Sequence, residues 1–261
     1  MTHRTVRRSL LVSLLALGVS WFGSSAVATD RGGAEASAHD AELQIALSLA
    51  ELLRASRTVI GNAQASINDP DRTEAGPDGQ GVFDDAIAIL QLAGSDVPQT
   101  IDDGSDRGRY LALQRDAIIE VVDENRSVID QPGVGFKGFV PAVFARLSNE
   151  RFGEKAGGEA RVKVTAPMSL VRNRRARPDG WEREVIESRF MASDWPRGER
   201  HVDTVPLDGR EAFRLMVPEY YGTGCLACHG GPAGELDITG YPKEGAEHDA
   251  LGGAISIALF R

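Results

Sequence analysis

The run Ala254-Ile255-Ser256-Ile257-Ala258-Leu259-Phe260, at the end of a 261-residue chain, alternates large aliphatic side chains with smaller ones. Period-two alternation marks a β-strand with one face on a core. Upstream, Val162 and Val164 alternate with Lys163 and Thr165, and His201 to Val205 and Ala212 to Val217 read as further strands. The first half has a different period. Ile45, Leu49, Leu52, Val59, Ala63 and Ile67 form one helical stripe, with Leu53 and Ile60 beside it, on a helix starting near Ala41. Asn68-Asp69-Pro70 ends that helix. Phe83, Ile87 and Leu90 mark a second helix stopped at Gly94, and Tyr110, Leu113, Ala117 and Val121 mark a third. Pro141 suits the first turn of a fourth, which carries Val143, Phe144 and Leu147 and closes at Gly157-Gly158. Asp179 with Glu182 reads as a capping box for a helix holding Trp181, Val185 and Phe190. Helices first and antiparallel strands after them define an α+β fold.

Composition narrows the function classes. The chain is 42% hydrophobic and 26% charged, with a formal net charge of -9 and aromatics at only 6%. An acidic chain without a basic block repels nucleic acid and anionic lipid, and so few aromatics make a poor base-stacking surface. The first 28 residues read as a signal peptide: Arg4, Arg7 and Arg8, an apolar run from Leu10 to about Phe22, then Ala26-Val27-Ala28. The run is short for a bilayer span, which needs about 20 apolar residues. Cleavage after Ala28 predicts an exported, periplasmic protein without a membrane span. Residues 29–40 are small and polar and read as a flexible leader, with one domain from 41 to 261.

The chemistry is concentrated in Cys225-Leu226-Ala227-Cys228-His229, which holds both cysteines of the chain. Two thiols separated by two residues can add to the two vinyl groups of one haem, leaving the adjacent His229 as proximal iron ligand. Gly222, Gly224, Gly230 and Gly231 give the backbone room beside a large flat ring. A thioredoxin-like dithiol would start a helix within a βαβ unit, whereas Gly230-Gly231-Pro232 follows here. A zinc site would need a fourth ligand, and His248 lies too far on for a compact finger. One covalent haem c is therefore the expected cofactor, on Cys225 and Cys228. The motif lies late in the chain and a strand follows it, which disfavours both small cytochromes c and four-helix cytochromes.

Several stretches carry a family resemblance. They are Lys163-Val164-Thr165-Ala166-Pro167, Arg172-Asn173-Arg174, Pro178-Asp179-Gly180-Trp181-Glu182, Cys225 to Gly230, Tyr241-Pro242 and Gly252-Gly253-Ala254-Ile255-Ser256. Together they resemble an exported single-haem c family with a PAS-like fold, long catalogued as a domain of unknown function. The resemblance implies long N-terminal helices packed on an antiparallel sheet, the haem held between them, and a redox or ligand-sensing role. Some relatives are thought to supply a second axial ligand as a cysteine on the N-terminal helix, and this chain has no cysteine left for that. The sixth position then falls to His248, Met216, Met168 or none, with His201 and His39 weaker candidates. Against these stand plain alternatives: His248 as a solvated loop residue and Met216 as core. Asn62 and Gln64 are candidates to hydrogen-bond a diatomic ligand, or simply an exposed polar face. By resemblance Arg172 or Arg174 would pair with the haem propionates, against a solvated basic loop.

The expected function is a periplasmic haem sensor of redox state or of a small diatomic ligand, signalling through a partner protein. A single-haem electron carrier is the second expectation. A haem enzyme such as a peroxidase is the third, since no His or Glu presents itself as a distal acid–base group.

Overall fold

The computed structural model describes Met1 and residues 26–261. The signal-peptide reading falls largely outside the described residues. The chain divides into two compact units, Met1–Ser37 and Ala38–Arg261.

Helix α1 spans Ala26–Asn62. Residues 29–40, read above as a leader, are thus helical. The residues there include Ala34, Glu35, Ala36 and Ala38, good helix formers, and no proline interrupts them. A single turn, α2 (Gln64–Ile67), follows, then α3 (Gly79–Leu92), α4 (Val97–Thr100), α5 (Asp106–Glu124), α6 (Arg126–Ile129) and α7 (Pro141–Lys155). Start signals act as their chemistry requires: Asp78 accepts from the Gly81 amide, and Ser105 from that of Gly108. Pro141 opens α7. Gly94, Gly157 and Gly158 have positive φ just past α3 and α7, where a side chain would be strained. Gly79 lies against the Ile119 backbone, so α3 and α5 approach there too closely for a Cβ.

The second half builds β1 (Ala160–Thr165), α8 (Gly180–Val185), β2 (His201–Leu207), β3 (Arg210–Tyr220), the single-turn α9 (Leu226–His229) and β4 (Leu251–Phe260). Both halves of the Asp179–Glu182 capping box are formed. A π-helical turn, Ile186–Phe190, prolongs α8. The four strands form one antiparallel sheet in the order β1-β4-β3-β2. The expected α+β class, helices first and an antiparallel sheet after, is the architecture observed.

Alternation along the strands sorts the side chains onto two faces. Val162, Phe213, Leu215, Ile255, Ile257 and Leu259 point into the main core, which they share with Leu49, Leu52, Leu53 and Ile60 of α1. Met216 and Ala254 point the other way, against Val185, Ile186 and Phe190. A slip of one residue in β3 would exchange these faces, so burial fixes the register. Among the described residues no helix is long and apolar enough to cross a membrane.

Phe213 is fully buried on a central strand of the sheet. Phe213→Ala should lower the unfolding free energy in a urea titration by about 3–5 kcal/mol. A loss below about 1 kcal/mol would contradict this packing.

Candidate functional site

Between β3 and β4 the chain leaves the sheet and returns, and the cysteine motif lies on that excursion. Its base is closed by the Tyr221 amide donating to the Ala250 carbonyl (2.9 Å) and the Asp249 amide donating to the Tyr221 carbonyl (2.8 Å). A 3-10 turn, Thr223–Cys225, runs into α9. Residues three apart share a face of such a turn, so Cys225 and Cys228 leave the backbone from the same side of it. Cys225 is exposed, Cys228 is half-buried, and both are free thiols. Burial, with the charge of Asp237 adding to it, pushes the Cys228 thiol up. Gly230 must be glycine here, because a Cβ would sit 2.6 Å from the Leu226 carbonyl oxygen.

His229 is held on three sides. Its Nδ1 lies 2.9 Å from Glu244 Oε2 and 3.4 Å from the Tyr221 hydroxyl. The Tyr221 ring stacks on the imidazole with centroids 4.9 Å apart. Gly252 makes that position available to Tyr221, since a Cβ there would meet the ring at 2.7 Å. Below, the His229 carbonyl accepts from the Ala246 amide at 2.8 Å. With Nδ1 engaged by a carboxylate, Nε2 is the ring nitrogen left to bind a metal. A carboxylate behind a ligating histidine is a recurrent way to fix its tautomer and raise its basicity.

Arg172 ties this loop together. Its Nε donates to Glu244 Oε1 (2.7 Å), Nη2 to Glu244 Oε2 (2.8 Å) and to the Cys228 carbonyl (2.9 Å), and Nη1 to Asp237 Oδ2 (2.7 Å). Its guanidinium also lies 4.7 Å from the centre of the Tyr241 ring. Burial alone would raise the Glu244 carboxyl, but hydrogen bonds from Arg172 and His229 outweigh it and hold the group below its ordinary value. Asp237 is a second anchor: its Oδ1 accepts from the Thr239 amide and hydroxyl and from the Tyr241 amide. Burial opposes ionisation there too, and the donors from Thr239, Arg172 and Tyr241 overcome it, leaving Asp237 far below the usual carboxylate range. By resemblance Arg172 was a propionate partner; in the structure its donors are committed to Asp237, Glu244 and Cys228. Arg174 is exposed.

The other candidates are scattered. His248 is exposed and lies 3.3 Å from Asp249. Met216 is fully buried against Val185, Ile186 and Phe190, and Met168 is exposed on a 3-10 turn. His201 sits between Trp181 and Trp195, and His39 lies edge-on to Phe213. Gln64 spends its amide on the carbonyls of Ile60 and Phe139, while Asn62 is exposed. Sequence reasoning missed Glu244, Asp237 and Tyr221, whose roles arise only when the loop closes. Among the described residues no three His, Cys, Asp or Glu side chains gather to hold a bare metal ion. Two thiols on one turn, followed by an imidazole with an anchored Nδ1, fit a covalently attached haem.

The arrangement defines a class: an α+β protein with a CxxCH turn carried on an excursion between two central strands. The chain belongs to the Tll0287-like family, whose pattern matches residues 35–259. No curated protein and no solved structure matches it.

The Asp237 carboxyl binds its proton more weakly in the folded chain than its ordinary value of 3.8. Its stabilisation is therefore fully present above that value and is lost as the pH falls below it, towards the lower value that the carboxyl has in the folded chain. Asp237→Asn should lower the melting temperature at pH 7 and flatten its decline in acid. Thermal unfolding at stepped pH checks this, and parallel acid limbs for the two proteins would refute it.

Proposed function

We propose that this protein is an exported, periplasmic c-type haem protein that senses redox state or a small diatomic ligand. Cys225 and Cys228 would form the two thioethers, and His229 Nε2 would be the proximal ligand to iron. The observation that carries the reading is the 2.9 Å contact from Nδ1 of His229, the residue that follows the second cysteine, to Glu244. When bound, the haem supplies one-electron chemistry and an iron able to take a sixth ligand. The protein's own part is positional. Glu244 keeps the imidazole oriented, Tyr221 covers its face, and Arg172 holds Glu244 and the Cys228 carbonyl in one frame. A partner protein would receive the signal.

A single-haem electron carrier is the second reading. Leu236, Ile238 and Tyr241 are exposed on the turn anchored by Asp237, beside the motif. Exposed apolar side chains next to a redox group suit transient docking of an electron-transfer partner.

Cys225→Ala combined with Cys228→Ala should yield a protein from which haem is lost in a denaturing wash, whereas the parent keeps it. Covalent haem surviving the double change would sink the proposal. Optical spectra then separate ligand sensing from the two redox roles. Ready binding of carbon monoxide by the reduced protein indicates a labile sixth position and ligand sensing. A reduced spectrum indifferent to carbon monoxide indicates two firm ligands, and so an electron carrier or a redox sensor.

The carboxylate behind His229 predicts a further effect. Glu244→Gln removes the anion that enriches the imidazole, so the oxidised iron loses stabilisation and the reduction potential should rise. Spectroelectrochemical titration measures it; an unchanged or lower potential would contradict the role given to Glu244.

A further inference from the structure

On the sheet face turned away from the helical core, a second group of polar side chains gathers, partly buried, that the haem reading does not use. Arg161 and Lys163 of β1, Arg214 of β3 and Ser256 and Ala258 of β4 project there, and the N-terminus of α8 stands over them. Arg214 is 2% exposed and Glu182 is 2% exposed. Arg214 Nη2 donates to Asp179 Oδ2 at 2.7 Å and lies 3.4 Å from Glu182 Oε1. The Trp181 ring covers the guanidinium with its centroid 4.3 Å away. Lys163 Nζ donates to Glu182 Oε2 and to the Arg177 carbonyl, each at 2.6 Å. The stretches singled out in the sequence around Lys163 and from Asp179 to Glu182 thus converge here rather than on the cysteine motif.

Much of this is structural, since the capping box and the ion pairs tie α8 to β1 and β3. Two features exceed that role. Arg214 Nε is fully buried without a hydrogen-bond partner, and leaving such a donor unsatisfied costs about 1–3 kcal/mol. Arg214 also lines a cleft, open on one side, with about 30 Å³ of free space. A single water needs about 10–15 Å³, so the cleft takes a group of two or three heavy atoms. Three cations, Arg161, Lys163 and Arg214, line it against two carboxylates, Asp179 and Glu182. Arg161 also pairs with the exposed Asp208 at the rim. Ser256, opposite Lys163 in the strand register and 4% exposed, adds a hydroxyl to the lining.

We propose that this cleft is a binding site for a small carboxylic acid, taken as its anion. The carboxylate is received by Arg214 Nε together with Lys163 and Ser256, and the remainder of a short acid occupies the open mouth. A planar, doubly accepting head suits the guanidinium edge better than a halide does. The site lies apart from the cysteine motif, and the proposal does not depend on the haem reading.

The test is thermal unfolding of the purified protein, followed by circular dichroism at pH 7. Sodium formate or sodium acetate is titrated against sodium chloride at matched ionic strength. A ligand that binds only the folded state raises the melting temperature in a concentration-dependent way. The expected result is such a rise with formate or acetate and not with chloride. Half-effect concentrations should be at least tenfold higher in Arg214→Lys, which lacks the Nε donor, and in Ser256→Val, which fills the cleft and keeps every charge. The proposal is overturned if both carboxylates act like chloride on the parent protein, as a cleft holding only water would. It is overturned equally if the carboxylate effect is unchanged in Ser256→Val.

Discussion

The pairing of β3 with β4 runs from Ala212 opposite Phe260 to Tyr220 opposite Leu251, and the loop that carries the cysteine motif hangs from it. One face of the pair carries Phe213, Leu215, Ile255 and Ile257 into the helical core. The other carries Arg214, Met216 and Ser256 toward α8. The chain between the two strands must begin and end at the same end of the pair. That constraint places Cys225, Cys228 and His229 on a loop whose base is tied by Tyr221 to Asp249 and Ala250. A loop anchored in this way need not carry a hydrophobic core of its own to hold a defined shape.

What the loop has instead is charge. Arg172, arriving from the connection between β1 and α8, satisfies Glu244, Asp237 and the Cys228 carbonyl together. Planar bidentate geometry suits arginine to this task, and partial burial strengthens each contact relative to an exposed ion pair. Through Glu244 the same arginine reaches the histidine. The imidazole, its carboxylate and the guanidinium therefore form one connected network, and a change at Arg172 is felt at His229 without any direct contact between them.

Most of the fold was legible because its signals are local. The stripe on α1, the Asp179–Glu182 capping box, Pro141 at the start of α7 and the alternation in β4 each lie within a few residues, and each forms as written. Residues 29–40 misled because alanine and serine belong equally to linkers and to helices. The cysteine motif was legible for a different reason: its spacing is itself the chemistry. Glu244, Asp237 and Tyr221 were not, since an acid or a tyrosine in a loop gives no sign of its partner until the loop closes. Arg172 stands out by its type and, with Arg174, is by resemblance a candidate for the propionates, against a solvated basic loop. Its partners lie 56 to 72 positions away, and no periodicity connects them.

The central claim is that one haem is joined to this chain through Cys225 and Cys228. It is tested most directly by the intact mass of the protein, purified from a host that exports and matures c-type cytochromes and measured under denaturing conditions. The account predicts the mass of the chain, cleaved near Ala28, plus one haem. A chain carrying no added mass, with both thiols still free to react, would contradict it.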